Sequence, residues 1–269
     1  WRMTRRAGAW EWMFRALCLA ILMFLMTPTL LILPMSFSPT DYLVFPPRGI
    51  SLKWYKLFLT DPDWVDATLF SLQIAGLTTV ASSVIGTMAS LALVRGRLPG
   101  RQVLEPLLLA PLIVPHIIVA IAVYLQFAPL GLVGTQLGFV LAHTALAVPY
   151  VALVVTAALQ RLPPSLEMAG LNLGASRLQC FWSITMPLIG PAIVAGAVFA
   201  ALASFDETVV SFFLSGVEHK TVTRKMFEDI EFNLSPVIAA ASTVLVFATI
   251  ALMWVADTSR RMATGGRKD

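Results

Sequence analysis

Long stretches of apolar residues, separated by short polar segments, dominate the chain. A helix needs about 20 apolar residues to cross the hydrocarbon core of a bilayer. Six stretches meet that requirement, at approximately residues 14–37, 66–94, 103–127, 135–159, 188–214 and 235–257. The pattern therefore predicts an all-α polytopic membrane protein with six transmembrane helices.

The first apolar stretch begins like a secretory signal peptide, because Arg2, Arg5 and Arg6 precede it. Its apolar run is longer than that of a signal peptide, and no small-x-small cleavage site precedes Ser36. We therefore expect a retained first helix rather than a removed leader.

Composition supports the membrane class. Hydrophobic residues make up 58% of the chain and charged residues 13%, and the mean hydropathy is +0.80. Soluble domains carry about twice that charged fraction. The basic residues cluster at the ends of the predicted helices, which is typical of topology determinants rather than of a nucleic-acid interface. Cys18 and Cys180 are the only cysteines, so no disulfide framework is expected.

Lysine and arginine are distributed unequally between the two sides of the predicted membrane topology. When the loops are assigned alternately, thirteen of the 19 Lys and Arg residues share the side of both termini. The positive-inside rule makes that side cytoplasmic. The six on the other side are Arg48, Lys53, Lys56, Lys220, Arg224 and Lys225.

These assignments divide the chain into five parts. They are a cytoplasmic N-terminal segment (1–13), the first transmembrane helix (14–37), an outer loop with an interfacial helix (38–65), a five-helix core that includes a cytoplasmic loop at 160–187 (66–257), and a basic cytoplasmic tail (258–269).

Two outer segments have helical patterns. Residues 51–59 place Leu52, Tyr55 and Leu59 on one helical face, and residues 226–234 look similar. Each segment is either an ordinary connecting helix or a docking surface for an extracytoplasmic partner.

The segment 163–191 lies between two predicted spans and is unusually apolar for a loop. Pro163 and Pro164 favour a helix start, and Gly174 can supply a left-handed helix end. An apolar surface outside the bilayer needs a covering partner, and we expect a protein docked at the membrane face. The apolar residues of the short helix are Leu166, Met168, Ala169, Leu171 and Leu173.

This segment resembles the cytoplasmic signature of permease subunits of binding-protein-dependent ABC importers. The signature reads E-A-A, three residues, G, nine residues and then I-x-L-P. Here Gly174 is followed by nine residues and then by I-T-M-P at 184–187. Counting back from Gly174 puts Met168 where the signature has Glu and Gly170 at its second Ala, while Glu167 lies one place early.

The resemblance implies the type I permease fold of ABC importers, in the bacterial inner (cytoplasmic) membrane. It implies three partners: a cytoplasmic ABC ATPase dimer, a homologous second permease subunit, and a periplasmic or extracytoplasmic substrate-binding protein. ATP and Mg²⁺ would be bound by the ATPase, so this chain is expected to carry no cofactor and no catalytic residue. The residues implied to contact the ATPase are Leu166, Glu167, Met168, Ala169, Gly170, Leu173, Gly174, Ala175, Ile184 and Pro187.

Further blocks resemble the second permease subunit of spermidine/putrescine-type importers. They include P-M-S-F-S at 34–38, S-F-D-E-T-V-V at 204–210 and K-M-F-E-D-I at 225–230. The resemblance implies a polyamine as the transported solute. Branches that carry another amine, a phosphonate, an opine or a metal cation share these blocks and stay open as alternatives.

Asp206 and Glu207 are the acidic residues well inside a predicted span. A carboxylate in hydrocarbon costs at least about 2.5–3.5 kcal/mol, so such residues face a cavity or a partner. Because adjacent helical positions point about 100° apart, we expect one to face the transport pathway and the other to cap or pair structurally. A purely structural hydrogen-bond anchor is the alternative for both.

Prolines, polar residues and small residues mark further positions. Pro111 and Pro115 remove backbone hydrogen bonds from the third predicted span, which favours a bend at a gate or a curved cavity wall. Gly86 and Gly196 belong to runs of small residues that predict close helix contacts. The polar candidates for the substrate path are Tyr124, Gln126 and Tyr150.

Other function classes have little support in the sequence. No G-x-x-x-x-G-K-[ST] motif is present to cradle a nucleotide, and no nucleophile–base pair is evident. His116 and His143 lie on different predicted helices and are expected to be buried polar anchors rather than metal ligands, so no metal site is predicted. A secondary transporter would need coupling-ion residues and internal repeats, and neither is evident.

Overall fold

The computed structural model describes the backbone of residues 9–96, 98–216, 219–232 and 235–265, and side chains from 10 to 254 within those ranges. Most of these residues are helical, and none of them forms a strand. The chain divides into two compact units. One comprises the residues up to Asp61 with Asp229–Val246, and the other comprises Pro62–Glu228 with the residues from Phe247 onward.

Most helices within the described residues follow one another with short connections, and the longest connection, residues 36–52, joins the first two. In chain order they are α1 (Ala9–Met35), α2 (Lys53–Thr60), α3 (Pro62–Arg95), α4 (Arg101–Leu109), α5 (His116–Phe127), α6 (Gln136–Arg161), α7 (Pro164–Asn172), α8 (Arg177–Cys180), α9 (Met186–Asp206), α10 (Val209–Leu214), α11 (Val222–Phe232) and α12 (Val237–Gly265).

Five helical stretches of the described chain are long and apolar enough to cross a membrane. They are α1, α3, α6, the continuous helix Arg177–Asp206, and the Val237–Trp254 part of α12. A sixth span results if α4, a 3₁₀ turn at Ala110–Leu112, and α5 are counted together. Five of the six predicted spans are thus present as single helical stretches, and the third is present as two helices that meet at a bend.

The third span is not the continuous bent helix that we expected over 103–127. Its two halves meet at 98°. Pro115 has an extended backbone (φ −54°, ψ 128°) and stands immediately before α5. A proline disfavours the helical conformation in the residue before it and offers no N–H, so the helix ends before Val114 instead of curving through it.

The fifth span also differs from the prediction of one helix over 188–214. Helix α9 ends at Asp206, Glu207 adopts an extended conformation (φ −69°, ψ 109°), and α10 begins at Val209. No proline causes this break. Side-chain hydrogen bonds replace the missing helical ones, as described below.

Helices α3, α6 and α9 pack closely through small residues. A Cβ atom placed on Gly86 would lie 2.8 Å from Val151 Cβ, and one placed on Gly196 would lie 3.0 Å from Val151 Cα. The Ser90 hydroxyl donates to the Ala152 carbonyl at 3.1 Å. Val151 is completely buried between the two glycines, so the predicted close contacts are present.

The helix predicted in the outer loop is present as α2, and it packs on the protein through residues outside the predicted apolar face. Trp54 and Phe58 of α2 are buried, whereas Leu52 and Leu59 are exposed. The Trp54 indole N–H donates to the Ser38 carbonyl at 2.9 Å, and the Tyr55 hydroxyl lies 2.6 Å from the Ser36 hydroxyl. These hydrogen bonds attach α2 to the segment after α1.

Candidate functional site

The loop 163–191 begins and turns where the sequence predicted. Pro163 is extended (φ −62°, ψ 128°) and directly precedes α7, whose first residue is Pro164. Gly174 has φ +87°, in the left-handed region that favours glycine. The Ala175 N–H donates to the Gly170 carbonyl at 3.1 Å, which closes the C-terminal end of α7.

A capping box then starts α8, and the sequence reading did not single it out. The Gln179 N–H donates to the Ser176 hydroxyl at 3.3 Å, and the Ser176 N–H donates to the Gln179 side-chain oxygen at 2.7 Å. The S-x-x-Q spacing is a recognised signature for this arrangement. A wide π-type turn at Phe181–Thr185 joins α8 to α9.

The ten residues predicted to contact an ATPase divide into two groups. Glu167, Gly170, Ala175 and Ile184 are buried or half-buried, so they face the protein itself. The others are exposed, and Leu173 has 89% of its surface accessible. These exposed residues, which we call the α7 surface, are Leu166, Met168, Ala169, Leu173, Gly174 and Pro187.

Gly170 lets α7 pack closely on the segment that follows it. A Cβ atom at this position would lie 2.9 Å from both the Cys180 Sγ and the Ile184 Cδ1. Real Cβ contacts are not that short, so any larger residue would force these side chains to move. The glycine that replaces the signature's second Ala therefore sets the distance between α7 and the segment formed by α8 and the π-type turn.

Glu167 does not extend outward from the loop. Its Oε1 lies 3.1 Å from the Arg95 Nε and accepts a hydrogen bond from the Thr185 hydroxyl at 3.0 Å. The sequence reading missed Arg95, which is 72 positions away in the chain. No short-range signal could have found this pair.

Glu207 stabilises the break between α9 and α10. Its Oε1 accepts a hydrogen bond from the Val210 N–H at 2.9 Å, and its Oε2 lies 3.2 Å from the His116 Nδ1. The Glu207 side chain is buried, whereas the His116 side chain is 47% exposed. His116 is therefore not the buried anchor that we expected, and a carboxylate that is distant in sequence is its partner.

Asp206 lies immediately before this break and is exposed. We expected two adjacent carboxylates on one helix, pointing in different directions. Instead the helix ends between them, because Glu207 leaves the helical conformation. The carboxylate of Glu207 is engaged in capping α10, and that of Asp206 is open to its surroundings.

His143 connects the two sides of the same break. Its Nδ1 lies 2.9 Å from the Ser204 hydroxyl on α9, and its Nε2 lies 3.2 Å from the Ser211 hydroxyl on α10. His143 is 1% exposed, as expected for a buried polar anchor. Helix α6 thereby holds α9 and α10 at a fixed separation.

The remaining polar candidates lie on two helices. The Tyr124 ring of α5 contacts the Phe213 ring of α10, with centroids 6.3 Å apart. Gln126 is exposed on α5, and Tyr150 is half-buried on α6. The structure therefore brings Tyr124 to the segment that follows the break.

A polar cleft that the sequence reading missed lies near the start of α3. Its volume is about 430 Å³. Asp63, Asp66 and Gln73 line it from α3, and His219 and Lys220 line it from the segment before α11. Two aspartates of α3 and Lys220 therefore line the same cleft.

Apolar helices that can span a membrane, two helix breaks held by buried polar groups, and an exposed apolar loop helix together define a polytopic membrane permease. The chain belongs to the family described as binding-protein-dependent transport system inner membrane component, which it matches over residues 82–264. The predicted family, fold class and membrane location are thereby confirmed.

Relatives match along most of the chain. It is 34% identical over 232 residues to the putrescine transport system permease protein PotI of Escherichia coli (strain K12), covering 84% of this chain and 82% of PotI. It is 28% identical over 233 residues to the spermidine/putrescine transport system permease protein PotC of Haemophilus influenzae, covering 86% and 89%.

A solved structure has a similar fold. A bacterial alginate ABC transporter, crystallised in complex with its alginate pentasaccharide-bound periplasmic protein, matches with a TM-score of 0.71. The match covers 94% of this chain and 96% of that chain, at 15% sequence identity. At that identity the similarity concerns the fold alone.

Proposed function

We propose that this chain is the permease subunit of an ATP-driven importer whose solute is a polyamine of the spermidine/putrescine type. The observation that carries the proposal is the 34% identity to a putrescine permease across most of both chains. The exposed carboxylates of Asp206, Asp63 and Asp66 support it, because a polyamine presents several ammonium groups to its path.

Within this proposal Asp206 is the carboxylate of the substrate path. Glu207 already accepts the Val210 N–H and faces His116, so its charge is partly compensated. An exposed carboxylate next to a helix break can bind an ammonium group and release it again. Tyr124, on the helix that contacts α10, adds an aromatic face for cation–π attraction.

The α7 surface is, in this proposal, the docking site for a cytoplasmic ATPase. That ATPase binds ATP and Mg²⁺ and hydrolyses the nucleotide, while this chain contributes half of the pathway. A homologous second permease and a periplasmic substrate-binding protein complete the assembly. The alginate transporter, which has a similar fold, was crystallised with a periplasmic protein. Both termini and α7 lie on the cytoplasmic side.

The cargo is tested by reconstituting the complete transporter with its binding protein and measuring ATP hydrolysis with a panel of solutes. Spermidine or putrescine should stimulate turnover. If both fail while another amine, a phosphonate, an opine or a metal cation stimulates it, the polyamine assignment is wrong. If no ATPase co-purifies with this chain, the importer class itself is contradicted.

The role of Asp206 is tested in the same system by Asp206→Asn. A hydrogen bond to a charged group contributes about 1.5–3 kcal/mol, and about 1.4 kcal/mol corresponds to tenfold, so uptake should fall about tenfold or more. The matched control is Asp41→Asn, which removes an exposed aspartate paired with Lys53 in the outer loop. Equal uptake by both variants would exclude Asp206 from the path.

A further inference from the structure

The ends of four helices meet at one ion pair, which ties the loop 163–191 to the rest of the protein. Arg95 is the last residue of α3, and Glu167 lies in the first turn of α7. The Arg95 Nε lies 3.1 Å from the Glu167 Oε1. The same oxygen accepts the Thr185 hydroxyl, which belongs to the last residue before α9, at 3.0 Å.

Arg95 also contacts the C-terminal end of α6 through its Nη2 atom. The Nη2 donates to the Leu162 carbonyl at 2.9 Å, directly after α6. A guanidinium is planar, and its donors are held in a fixed fork. Arg95 therefore fixes the orientation of α7 relative to α3 and α6, and the hydrogen bond from Thr185 to Glu167 fixes it relative to the start of α9.

The Arg95–Glu167 ion pair is partly exposed and lies beside a cavity, so its two side chains have room to separate and meet again. Arg95 and Glu167 are 21% and 23% exposed, and both line a cavity of about 720 Å³ that also contacts Arg177 and Cys180. Thr185 ends the wide turn between α8 and α9, and such turns often mark sites where a helix adjusts. The apolar contacts of Gly170 hold the opposite side of α7 in place.

We propose that Arg95 and Glu167 are positioning residues that transmit the movement of α7 to α3 and α9 during transport. The inference rests on the proposed coupling of α7 to an ATPase. Glu167 is one place earlier than the Glu of the signature, and it is used inside the permease rather than at the ATPase surface. The apolar α7 surface makes the contact with the ATPase.

The test uses the complete transporter in proteoliposomes, with labelled spermidine as the probe. Arg95→Gln and Glu167→Gln should still co-purify the ATPase, because the α7 surface is unchanged. Transport per ATP hydrolysed should fall roughly 5-fold or more, the range of energetic coupling between linked sites. Arg95→Lys should be intermediate, since lysine keeps the charge but lacks the fork.

The control and the double variant separate transmission from simple stability. Arg101→Gln removes an exposed ion pair with Glu105 on α4 and should leave the ratio unchanged. The Arg95→Gln/Glu167→Gln double variant should be no worse than the more impaired single variant. If either single variant fails to fold, Thr185→Val, which removes a donor to Glu167 without changing the size of the side chain, should lower the same ratio.

Several outcomes would overturn the inference. They are a normal transport ratio in the single variants, additive losses in the double variant, or loss of ATPase co-purification, which would make the pair a support of the docking surface only. If the unaltered chain does not co-purify an ATPase, the proposed function fails as well, so the two failures are distinguishable.

Discussion

Two glycines of the loop 163–191 are required for different reasons. Gly174 has φ +87°, and no atom lies within 4 Å of the Cβ position it lacks. Gly170 has an ordinary helical backbone, but a Cβ there would meet Cys180 and Ile184. The first glycine is needed for its backbone conformation and the second for the space it leaves.

This distinction predicts different outcomes for two substitutions of Gly174. Valine is β-branched and disfavours the left-handed region, with a cost of about 1–2 kcal/mol. Gly174→Val should therefore distort the turn and reduce transport about 5- to 30-fold. Gly174→Asn should retain most transport, because asparagine tolerates that conformation. Uptake in proteoliposomes, with membrane insertion checked by fractionation, distinguishes them. Normal uptake by the valine variant would refute a coupling role for the turn.

Local spacing predicts the ends of α7 but not the partners of Glu167 and Glu207. The apolar face of α7, its proline start and its glycine end follow from local spacing, and the structure contains all three. The partners of Glu167 and Glu207 do not follow, because Arg95 and His116 reach them from distant parts of the chain. Residues close together in sequence therefore predict where a helix ends. They do not predict which distant side chains stabilise that end.

At the scale of elements, the two broken spans have different causes. The break before α5 follows from Pro115, which the sequence displays, although hydropathy alone predicts one continuous helix. The break after Asp206 contains no proline and depends on Glu207 and His143. Non-helical backbone at membrane depth is tolerated only beside protein or water, so both breaks mark places where lipid is excluded.

The packing of α3 on α6 provides a matched pair of substitutions within one helix. In Gly86→Ala the new Cβ would meet Val151 at 2.8 Å and the Val148 carbonyl at 3.2 Å, while in Gly76→Ala it would meet no atom within 4 Å. Overpacking costs about 1–3 kcal/mol, so only Gly86→Ala should lower the thermal unfolding midpoint of the purified protein. Equal midpoints would mean that α3 and α6 separate easily at this point.

At the scale of the whole molecule, the sequence predicts the number of spans and the family, because hydropathy and the Gly174 spacing are both strong signals. It does not reveal the cleft at Asp63 and Asp66, whose lining combines α3 with the segment before α11. Side chains brought together from separate helices leave no periodic trace in a single sequence.

Six spans put both termini on one side of the membrane, and the Lys and Arg distribution predicts that this side is the cytoplasm. A reporter that is active only in the cytoplasm should therefore function after residue 269, and one that needs export should function within 46–49. An export-dependent reporter that is active at the C-terminus would reverse the orientation and remove α7 from the reach of an ATPase.

The exposed α7 surface has a consequence for how the subunit matures. Leu173 and Met168 are 89% and 58% accessible on a segment that, in the proposed orientation, lies in water. Until a partner covers them, the newly inserted chain presents the kind of apolar patch that chaperones and membrane proteases recognise. Covering of the α7 surface by that partner should therefore protect the newly inserted chain from degradation.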